Sequence, residues 1–389
     1  MPSRLFSLRL YYFASYAALG AYAPFFPAWL EARGIQGLTM GAVSALLPAM
    51  GILGPPAVGL LADALGLRGS ILRIASLGAG LSLGALAVLG AAGGALTPIV
   101  IFVAVLLYAV FRSPMIMLAD VVTLERAPAA GTTYGRVRLW GSVGFLVAAL
   151  VVGRHADLHA PATLPAITAA LLGAAALAAW TLPAAPTTPR LPIVREARAL
   201  VAAPDFGRFL VVSLLAQVAH AGYDLCFSLH LRDLGAGGAV IGVAWALGVV
   251  VEIVLMAFAE PLVARFSAPR LLALALLGAT ARWTLLAGVR SLPVLLALQP
   301  LHALSFALWW VASVAYTRER APVHALATAQ GLFSAAVAGG SVVGMLAWGA
   351  VYRRAGGGAV YGAAAVIALG ATLLATSWAR GAPRAARGA

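Results

Sequence analysis

Residues 182–208 read LPAAPTTPRLPIVREARALVAAPDFGR and form the longest polar interruption in a strongly apolar chain. Prolines in this segment prevent one continuous helix, because proline lacks a backbone N–H and clashes with the preceding turn. The arginines of the segment favour the cytoplasmic side of a membrane. The segment therefore predicts a cytoplasmic linker, residues 184–207, between an N-terminal bundle, residues 1–183, and a C-terminal bundle, residues 208–389.

The sequence on both sides of the linker is too apolar for a water-soluble protein. Hydrophobic residues make up 62% of the 389 residues and charged residues 10%, against about 45–50% and about 25% in soluble proteins. Apolar runs of about 20 residues are typical of transmembrane helices. Twelve such runs occur, near residues 6–30, 40–62, 71–92, 97–119, 137–153, 163–183, 208–231, 238–262, 270–290, 293–316, 324–350 and 358–379. None alternates as β-barrel strands do, so we predict an all-α integral membrane protein of twelve transmembrane helices in two six-helix bundles.

The formal net charge is +14, and all 26 basic residues are arginines. A soluble protein this basic would suggest a nucleic-acid partner, but here the arginines follow a membrane topology. With the N-terminus inside, eighteen arginines lie on or near the cytoplasmic side and six on the external side. This asymmetry agrees with the positive-inside rule. We therefore expect a multi-pass protein of the bacterial inner membrane with both termini cytoplasmic and no binding of nucleic acid.

Catalytic and metal-binding patterns are missing from the sequence. Cys226 is the only cysteine and lies within an apolar run, so neither an intramolecular disulfide nor a cysteine cluster for a metal can form. No cleavable signal peptide is evident at the N-terminus. No nucleophile and base stand at a spacing that indicates an enzyme. We expect no enzymatic activity, no metal and no cofactor, with protons as the only coupling ion.

Three ionisable side chains lie at comparable depths in three consecutive apolar runs. Glu252 is in WALGVVVEIVLMAF, Arg282 in ARWTLLAG and His302 in LQPLHALSF. Such groups are costly within a bilayer and usually face a partner or a wet cavity. Since arginine keeps its charge and histidine switches near neutral pH, the set predicts proton coupling. The alternative is an interhelical ion pair beside a hydrogen-bonded core histidine.

Other ionisable groups within the apolar runs leave two interpretations open. His220 and Asp224 in AHAGYDLCF are one helical turn apart, so they share a face. They either form a local pair or line the transport path and contribute to proton coupling. Arg112 in YAVFRSPMIM precedes a proline and either extends towards the lipid headgroups or faces a cavity.

The loop after the second apolar run reads GLLADALGLRGSILR, residues 59–73. It resembles the loop signature between helices 2 and 3 of the major facilitator superfamily. The resemblance implies that Asp63 and Arg68 belong to a gate, in which an acid at a helix end pairs with an arginine of a neighbouring helix. The alternative is a turn whose acid suits a helix dipole.

Six stretches resemble the 3-phenylpropionate transporter family, which is related to lactose permease and to nucleoside–proton symporters. They are LGAYAPFFPAWL, GLLADALGLRGS, YGRVRLWGSVGF, WALGVVVEIVLMAF, ARWTLLAG and LQPLHALSF. In lactose permease, the second arginine of the GRxR run lies in the central cavity, pairs with an acid on helix 4 and binds substrate. The resemblance gives these roles to Arg138 and Asp120. It also matches Glu252, Arg282 and His302 to the residues of the permease that couple substrate to the proton.

Two departures from the permease pattern bear on proton coupling. Ser305 stands where the permease has its proton-carrying glutamate, and Asp224 matches an aspartate whose partner there is a lysine, which this chain lacks. The proton site is therefore expected at Glu252 or Asp224. Among the aromatics, Tyr22, Phe26 and Trp140 are expected to cover the apolar part of the substrate.

These patterns together predict a monomeric secondary transporter within the lipid bilayer. It would import a small organic solute with protons by alternating access. The resemblance favours an aromatic acid such as a phenylpropionate, or a sugar or nucleoside. The alternative is a proton-coupled exporter of drugs or metabolites, because a fold does not fix the direction of transport. A membrane sensor or scaffold is disfavoured by the charges within the apolar runs.

Overall fold

A computed structural model describes residues 2–65, 68–93, 96–159, 161–182, 194–322 and 325–381. All regular secondary structure in these ranges is helical. The N-terminal part contains α1 (Pro2–Glu31), α2 (Gly37–Leu65), α3 (Arg68–Ala91), α4 (Pro98–Arg112), α5 (Met115–Arg126), α6 (Tyr134–Leu158) and α7 (Leu164–Trp180). The C-terminal part contains α8 (Val194–Ala202), α9 (Pro204–Asp233), α10 (Gly238–Ala257), α11 (Ala259–Arg265), α12 (Ala268–Gly288), α13 (Leu292–Ala297), α14 (Trp309–Arg320) and α15 (Leu326–Gly381).

Eight helical stretches in the described ranges are long and apolar enough to cross a membrane. They are Gly37–Gly54, Gly69–Ala91, Pro98–Leu124, Tyr134–Leu158, Pro204–Asp233, Gly238–Ala257, Ala268–Gly288 and Thr328–Trp378. The last of these contains two of the predicted transmembrane runs. It is divided at Gly356, whose φ of 71° and ψ of −177° interrupt α15. Glycine adopts this positive φ without the steric penalty that a Cβ would bring.

Several of the predicted runs are broken helices. The fourth run divides into α4 and α5 at Ser113 and Pro114, because proline cannot donate the backbone hydrogen bond that a continuous helix needs. The tenth run contains a π-helical segment, Ala303–Leu308, directly before α14. Such π-helical turns occur frequently at functional sites. Within the predicted linker, α8 forms a short helix that the sequence analysis did not predict.

Contacts divide the chain into two compact units, residues 1–191 with 235–246, and residues 192–234 with 247–389. The start of α10 belongs to the first unit because it is held by Asp157 at the end of α6. The Asp157 carboxylate accepts hydrogen bonds from the backbone N–H groups of Gly238 at 2.5 Å and Ala239 at 3.0 Å. The predicted domain boundaries at residues 183 and 208 stay a prediction, since residues 183–193 lie outside the described ranges.

The first unit is held together partly by close packing of α1 against α6. A Cβ on Gly20 would overlap the carbonyl oxygen of Phe145, and a Cβ on Gly144 would overlap that of Phe13. Small residues allow membrane helices to approach closely and to gain dispersion contacts where lipid supplies no hydrophobic driving force. This approach brings the middle of α1 against the first turns of α6, where the polar side chains of this unit lie.

The second unit has a core built around aromatic rings. The ring centroid of Phe209 lies 4.7 Å from that of Tyr316 and 5.5 Å from that of Phe333. Trp378 packs edge-on against Tyr316 at 4.6 Å. Aromatic pairs in these arrangements contribute about 0.5–1.5 kcal/mol each beyond the area they bury. The packing fixes α9, α14 and α15 relative to one another within this unit.

Candidate functional site

The first unit contains a polar cluster on α1, α5 and α6, which we name the Asp120 cluster and which consists of Tyr12, Tyr16, Asp120 and Arg138. The Tyr12 hydroxyl donates to Asp120 Oδ1 at 2.6 Å. Arg138 Nε lies 3.8 Å from the same oxygen, and Arg138 Nη2 donates to the Tyr16 hydroxyl. The Arg138 and Asp120 side chains are 30% and 29% exposed, so both remain accessible to a solute. The structure thus brings together the two residues that the resemblance paired.

The local sequence explains how these side chains meet. Tyr12 and Tyr16 are four residues apart on α1 and therefore lie on one face of that helix. A Cβ on Gly141 would come within 2.8 Å of the Tyr16 ring, so the glycine leaves room for this ring beside Arg138. The sequence analysis missed both tyrosines, although their spacing in YYFASY, residues 11–16, is the pattern of a shared helix face.

The aromatics expected to contact substrate form a second group in the first unit. Tyr22 and Phe26 are both buried and stack with ring centroids 4.1 Å apart and an interplanar angle of 20°. Phe26 also stacks on Trp29 at 5.5 Å, and Tyr22 lies 5.3 Å from the Tyr108 ring. The predicted pair is therefore part of a compact aromatic group rather than of the Asp120 cluster.

Trp140 lies apart from these residues. It is 43% exposed, and its position two residues after Arg138 on α6 turns it to a different face of the helix. The structure therefore does not bring Trp140 to the Asp120 cluster, and its expected contact with substrate gains no support.

The second unit contains a cluster on α9, α10 and α12 and on the chain around the π-helical segment, and we name it the Arg282 cluster. Arg282 is fully buried. Its Nη1 donates to His302 Nδ1 and to Ser305 Oγ, both at 3.0 Å, and its Nη2 donates to Gln299 Oε1 at 3.2 Å. The guanidinium carbon also lies 4.3 Å from the centroid of the Tyr223 ring. A buried cation is tolerable here because Nη1 and Nη2 donate to neutral acceptors and the guanidinium lies against an aromatic face. Its Nε is buried and has no hydrogen-bond partner among the described residues.

The predicted trio comes together through its histidine. His302 Nε2 lies 3.8 Å from Glu252 Oε2, while its Nδ1 accepts from Arg282. Glu252 remains 23% exposed, whereas His302 is 9% exposed. The acid is therefore the member of the trio most accessible from outside the cluster.

His220 and Asp224 join the same region. His220 Nε2 lies 3.6 Å from Asp224 Oδ1, and Gln217 Nε2 donates to Asp224 Oδ2 at 3.5 Å. The His220 ring lies 5.7 Å from the His302 ring, so the two histidines adjoin each other. The local pair that the sequence left open is present, and it lies beside the trio.

Buried amides are the residues of this region that sequence analysis missed. Gln299 is fully buried, and its Oε1 accepts from both Arg282 and the Tyr223 hydroxyl, at 3.2 Å and 3.3 Å. Its Nε2 donates to the backbone carbonyl of Leu295 at 2.8 Å. The available signal was an uncharged polar residue within an apolar run, where every polar group needs a partner.

The predicted gate lies at the junction of α2 and α3. Asp63 is within α2, and Arg68 begins α3, but the side chains of both lie outside the described residues. Their pairing stays a prediction. Within the described ranges, no group of three or more His, Cys, Asp or Glu side chains is placed to hold a metal ion.

Comparison with known proteins identifies the family of the chain. Residues 5–363 match the model of the MFS_1 like family. The chain is 32% identical over 334 residues to a maltose permease of Geobacillus stearothermophilus, a match that covers 84% of this chain and 82% of that protein. It is 28% identical over 271 residues to a probable 3-phenylpropionic acid transporter of Escherichia coli strain K12, a match that covers 68% of this chain and 70% of that protein.

Solved structures show the same fold at low sequence identity. A mutant form of the nucleoside transporter NupG superposes with a TM-score of 0.86 at 17% identity, covering 96% of this chain and 99% of the other. The POT family transporter PepTSo superposes with a TM-score of 0.74 at 14% identity, covering 98% of each chain. These similarities confirm the predicted all-helical membrane fold of the major facilitator type.

Proposed function

This chain belongs to the MFS_1 like family, and we propose that it imports a small organic solute together with protons by alternating access. Membership of the family makes it a multi-pass membrane transporter of small solutes and not an enzyme. The proposal concerns the direction of transport, the coupling ion and the residues that carry out each step. We further propose that it works as a monomer in the bacterial inner membrane with both termini in the cytoplasm.

The observation that carries the proposal is the contact between Glu252 and His302 beside the buried Arg282. Arginine can only donate hydrogen bonds, so the His302 Nδ1 that accepts from Arg282 carries no hydrogen, and the ring is neutral. The accessible carboxylate of Glu252 is then the group of this trio that takes up and releases a proton. Ionisable groups with such partners within a membrane commonly mark proton or substrate paths.

Asp120 and Arg138 are the residues we assign to the solute. Arg138 Nε and Asp120 Oδ1 are 3.8 Å apart and both side chains are partly exposed, so a solute can reach either of them. Charge-assisted hydrogen bonds from Arg138 would hold a hydroxyl or carboxylate oxygen, and Asp120 would orient the guanidinium or accept from a hydroxyl. Tyr12 and Tyr16 position these two side chains through their own hydrogen bonds.

The coupling has a clear energetic source. A proton that enters down a potential of about 100 mV releases about 2.3 kcal/mol. This is sufficient to concentrate an uncharged solute about 50-fold when one proton accompanies it. A carboxylate that is protonated on the outside and ionised on the inside links the two movements, because the two conformations give it different surroundings.

Transport into proteoliposomes tests the proposal. Full-length protein would be supplied with labelled maltose, 3-phenylpropionate and a nucleoside, the solutes named for its relatives and structural neighbours, with and without an acidic exterior. We expect accumulation of one class of solute that a protonophore abolishes. Expulsion of preloaded solute by inward-moving protons would indicate the exporter instead, and indifference of transport to the pH gradient would overturn proton coupling.

A further inference from the structure

The first turn of α10 has no capping side chain in the sequence that precedes it. The first four N–H groups of a helix lack intrahelical partners, and a Ser, Thr, Asp or Asn just before the helix normally supplies an acceptor. Residues 234–240 read LGAGGAV and contain none of these. By contrast, Thr97 caps α4 and Thr133 caps α6 through their side-chain oxygens. An acceptor for the start of α10 has to come from another part of the fold.

Asp157, near the end of α6, supplies this acceptor. Its Oδ1 accepts from the backbone N–H of Gly238 at 2.5 Å, and its Oδ2 accepts from that of Ala239 at 3.0 Å. Both bonds are charge-assisted, and the carboxylate also faces the positive end of the helix dipole. Because Asp157 belongs to a different helix, this cap of α10 exists only while the end of α6 lies against the start of α10.

The cap continues into a row of close approaches between the two helices, which we name the α6–α10 seam. A Cβ on Gly153 would overlap the carbonyl oxygen of Gly238. A Cβ on Gly242 would overlap the carbonyl oxygen of Ala149. The members on α6 are four residues apart and therefore share one face of the helix. The seam consists of Phe145, Ala149, Gly153 and Asp157 on α6 and of Gly238, Ala239, Gly242 and Trp245 on α10.

The helix α10 continues beyond the seam. The seam lies within the first unit, which takes in residues 235–246, and its last contact is between the rings of Phe145 and Trp245, whose centroids are 6.2 Å apart. From residue 247 onwards α10 belongs to the second unit and carries Glu252, the acid that lies 3.8 Å from His302. One helix thus carries both the turn that Asp157 caps and the acid to which we assign the proton.

We propose that Asp157 is a positioning residue of the transport cycle, whose carboxylate favours the state in which the α6–α10 seam is closed. The inference rests on the proposed alternating access and adds a residue that sets its balance. Opening of the seam exchanges two charge-assisted bonds for bonds to water, while the small residues of the seam have no side chains that would hold it shut by interlocking. The predicted topology places this end of both helices on the external side, so Asp157 opposes external opening.

A cap supplied by another helix acts on conformation in a way that a local cap does not. A serine or aspartate just before α10 would remain bonded whether the seam is open or closed, and would favour neither state. The bonds of Asp157 form only in the closed state, and an interaction made in one state alone shifts the equilibrium towards that state. The usual effect of losing a helix cap corresponds to about a 2- to 30-fold change in an equilibrium constant. Removal of the carboxylate should raise the ratio of open to closed protein by about this factor.

The experiment measures how often the seam opens in purified full-length protein. Ala246 is 6% exposed and lies one turn after Gly242 on the same face of α10, so Ala246→Cys reacts with a maleimide when the seam is open. Cys226 is buried, and the chain without the new cysteine gives the background. We expect Asp157→Ala to raise the labelling rate of this cysteine about 2- to 30-fold. Asp157→Asn should raise it less, because the amide oxygen still accepts one bond.

Two further variants separate this role from simple stabilisation of α10. Asp233→Asn removes an acid at the end of α9 that accepts from the Tyr352 hydroxyl, and it should leave labelling unchanged. Gly237→Ser combined with Asp157→Ala gives α10 a local cap, and the φ of Gly237 is not positive, so serine fits there without backbone strain. This double variant should regain the melting temperature lost in Asp157→Ala and keep the fast labelling. If Asp157→Ala fails to fold, Asp157→Asn and the double variant carry the test.

Two results overturn the inference, and a third overturns the proposed function instead. Equal labelling rates with and without the Asp157 carboxylate would show that it does not hold the seam closed. A return of the double variant to slow labelling would show that Asp157 only caps α10. Labelling needs no solute, so both results are independent of uptake assays. Failure of the unsubstituted protein to accumulate any solute under a pH gradient would overturn the proposed transport function itself.

Discussion

Arg282 donates from Nη1 to Nδ1 of His302 across 3.0 Å. Because arginine has no acceptor, this contact fixes the histidine as a neutral ring with its hydrogen on Nε2, the nitrogen that lies 3.8 Å from Glu252. The hydrogen-bearing Nε2 of His302 therefore faces the Glu252 carboxylate, at a distance longer than a hydrogen bond. The sequence suggested a switchable base at this position, and the geometry instead favours the acid as the group that changes charge.

Arg138→Ala should abolish solute binding while the protein still folds in the membrane. The substitution removes the cation of the Asp120 cluster, while the Tyr12 hydroxyl still donates to Asp120. Arg136→Ala is the matched control, since Arg136 lies two residues earlier on α6 and is exposed. Binding measured on purified protein should fall at least about tenfold in Arg138→Ala alone, as expected for loss of charge-assisted bonds. An unchanged solute affinity would show that Arg138 serves only membrane topology.

Gly144→Ala should destabilise the protein and impair transport, because its Cβ would overlap the carbonyl oxygen of Phe13 and push α1 away from α6. That separation would break the contact of Tyr16 with Arg138. Gly135→Ala on the same helix meets nothing within 4 Å and should be neutral or stabilising by about 1 kcal/mol, the difference in helix propensity. Thermal unfolding of the two variants in detergent measures both effects, and equal melting temperatures would contradict the close packing.

Gln299→Leu should lower the stability of the second unit. Gln299 Oε1 accepts from Arg282 and from the Tyr223 hydroxyl, so leucine would leave two buried donors unsatisfied at about 1–3 kcal/mol each. Gln36→Leu, at a partly exposed amide, is the control and should have little effect. If the two variants have the same melting temperature, the Gln299 amide does not stabilise the protein as an acceptor for Arg282.

The sequence predicted the helical membrane fold because its apolar runs and arginine asymmetry depend only on composition along the chain. It also placed Glu252, Arg282 and His302 at comparable depths, and in the structure the acid and the arginine both lie beside His302. It could not identify Gln299 or Tyr12, since neutral polar residues are common in membrane helices and no spacing distinguishes those that meet across helices. Hydropathy alone ended the fourth run at residue 119 and left Asp120 outside it. In the structure α5 continues to Arg126, because a single acid lowers the local hydropathy without ending a helix.

Thr188→Cys tests the predicted topology. The linker should be cytoplasmic, since eighteen arginines lie on or near that side and six on the other. An impermeant thiol reagent should therefore label the introduced cysteine only after the cells are opened. Cys226, the one native cysteine, is buried, so the unsubstituted chain provides the background. Labelling of intact cells from outside would reverse the assigned orientation.

Glu252→Gln should separate solute binding from proton coupling. The amide resembles the protonated acid, so it should bind solute and exchange it across the membrane, yet lose accumulation driven by a pH gradient. Asp224→Asn is the matched variant of the other accessible acid, which lies 3.6 Å from His220, and we expect the smaller effect there. Counterflow and gradient-driven uptake in the same proteoliposomes measure the two activities. Ser305 stands where the permease has its proton-carrying glutamate, so Glu252 and Asp224 are the two acids to compare. If Glu252→Gln still concentrates solute against its gradient while Asp224→Asn does not, Asp224 is the residue that carries the proton.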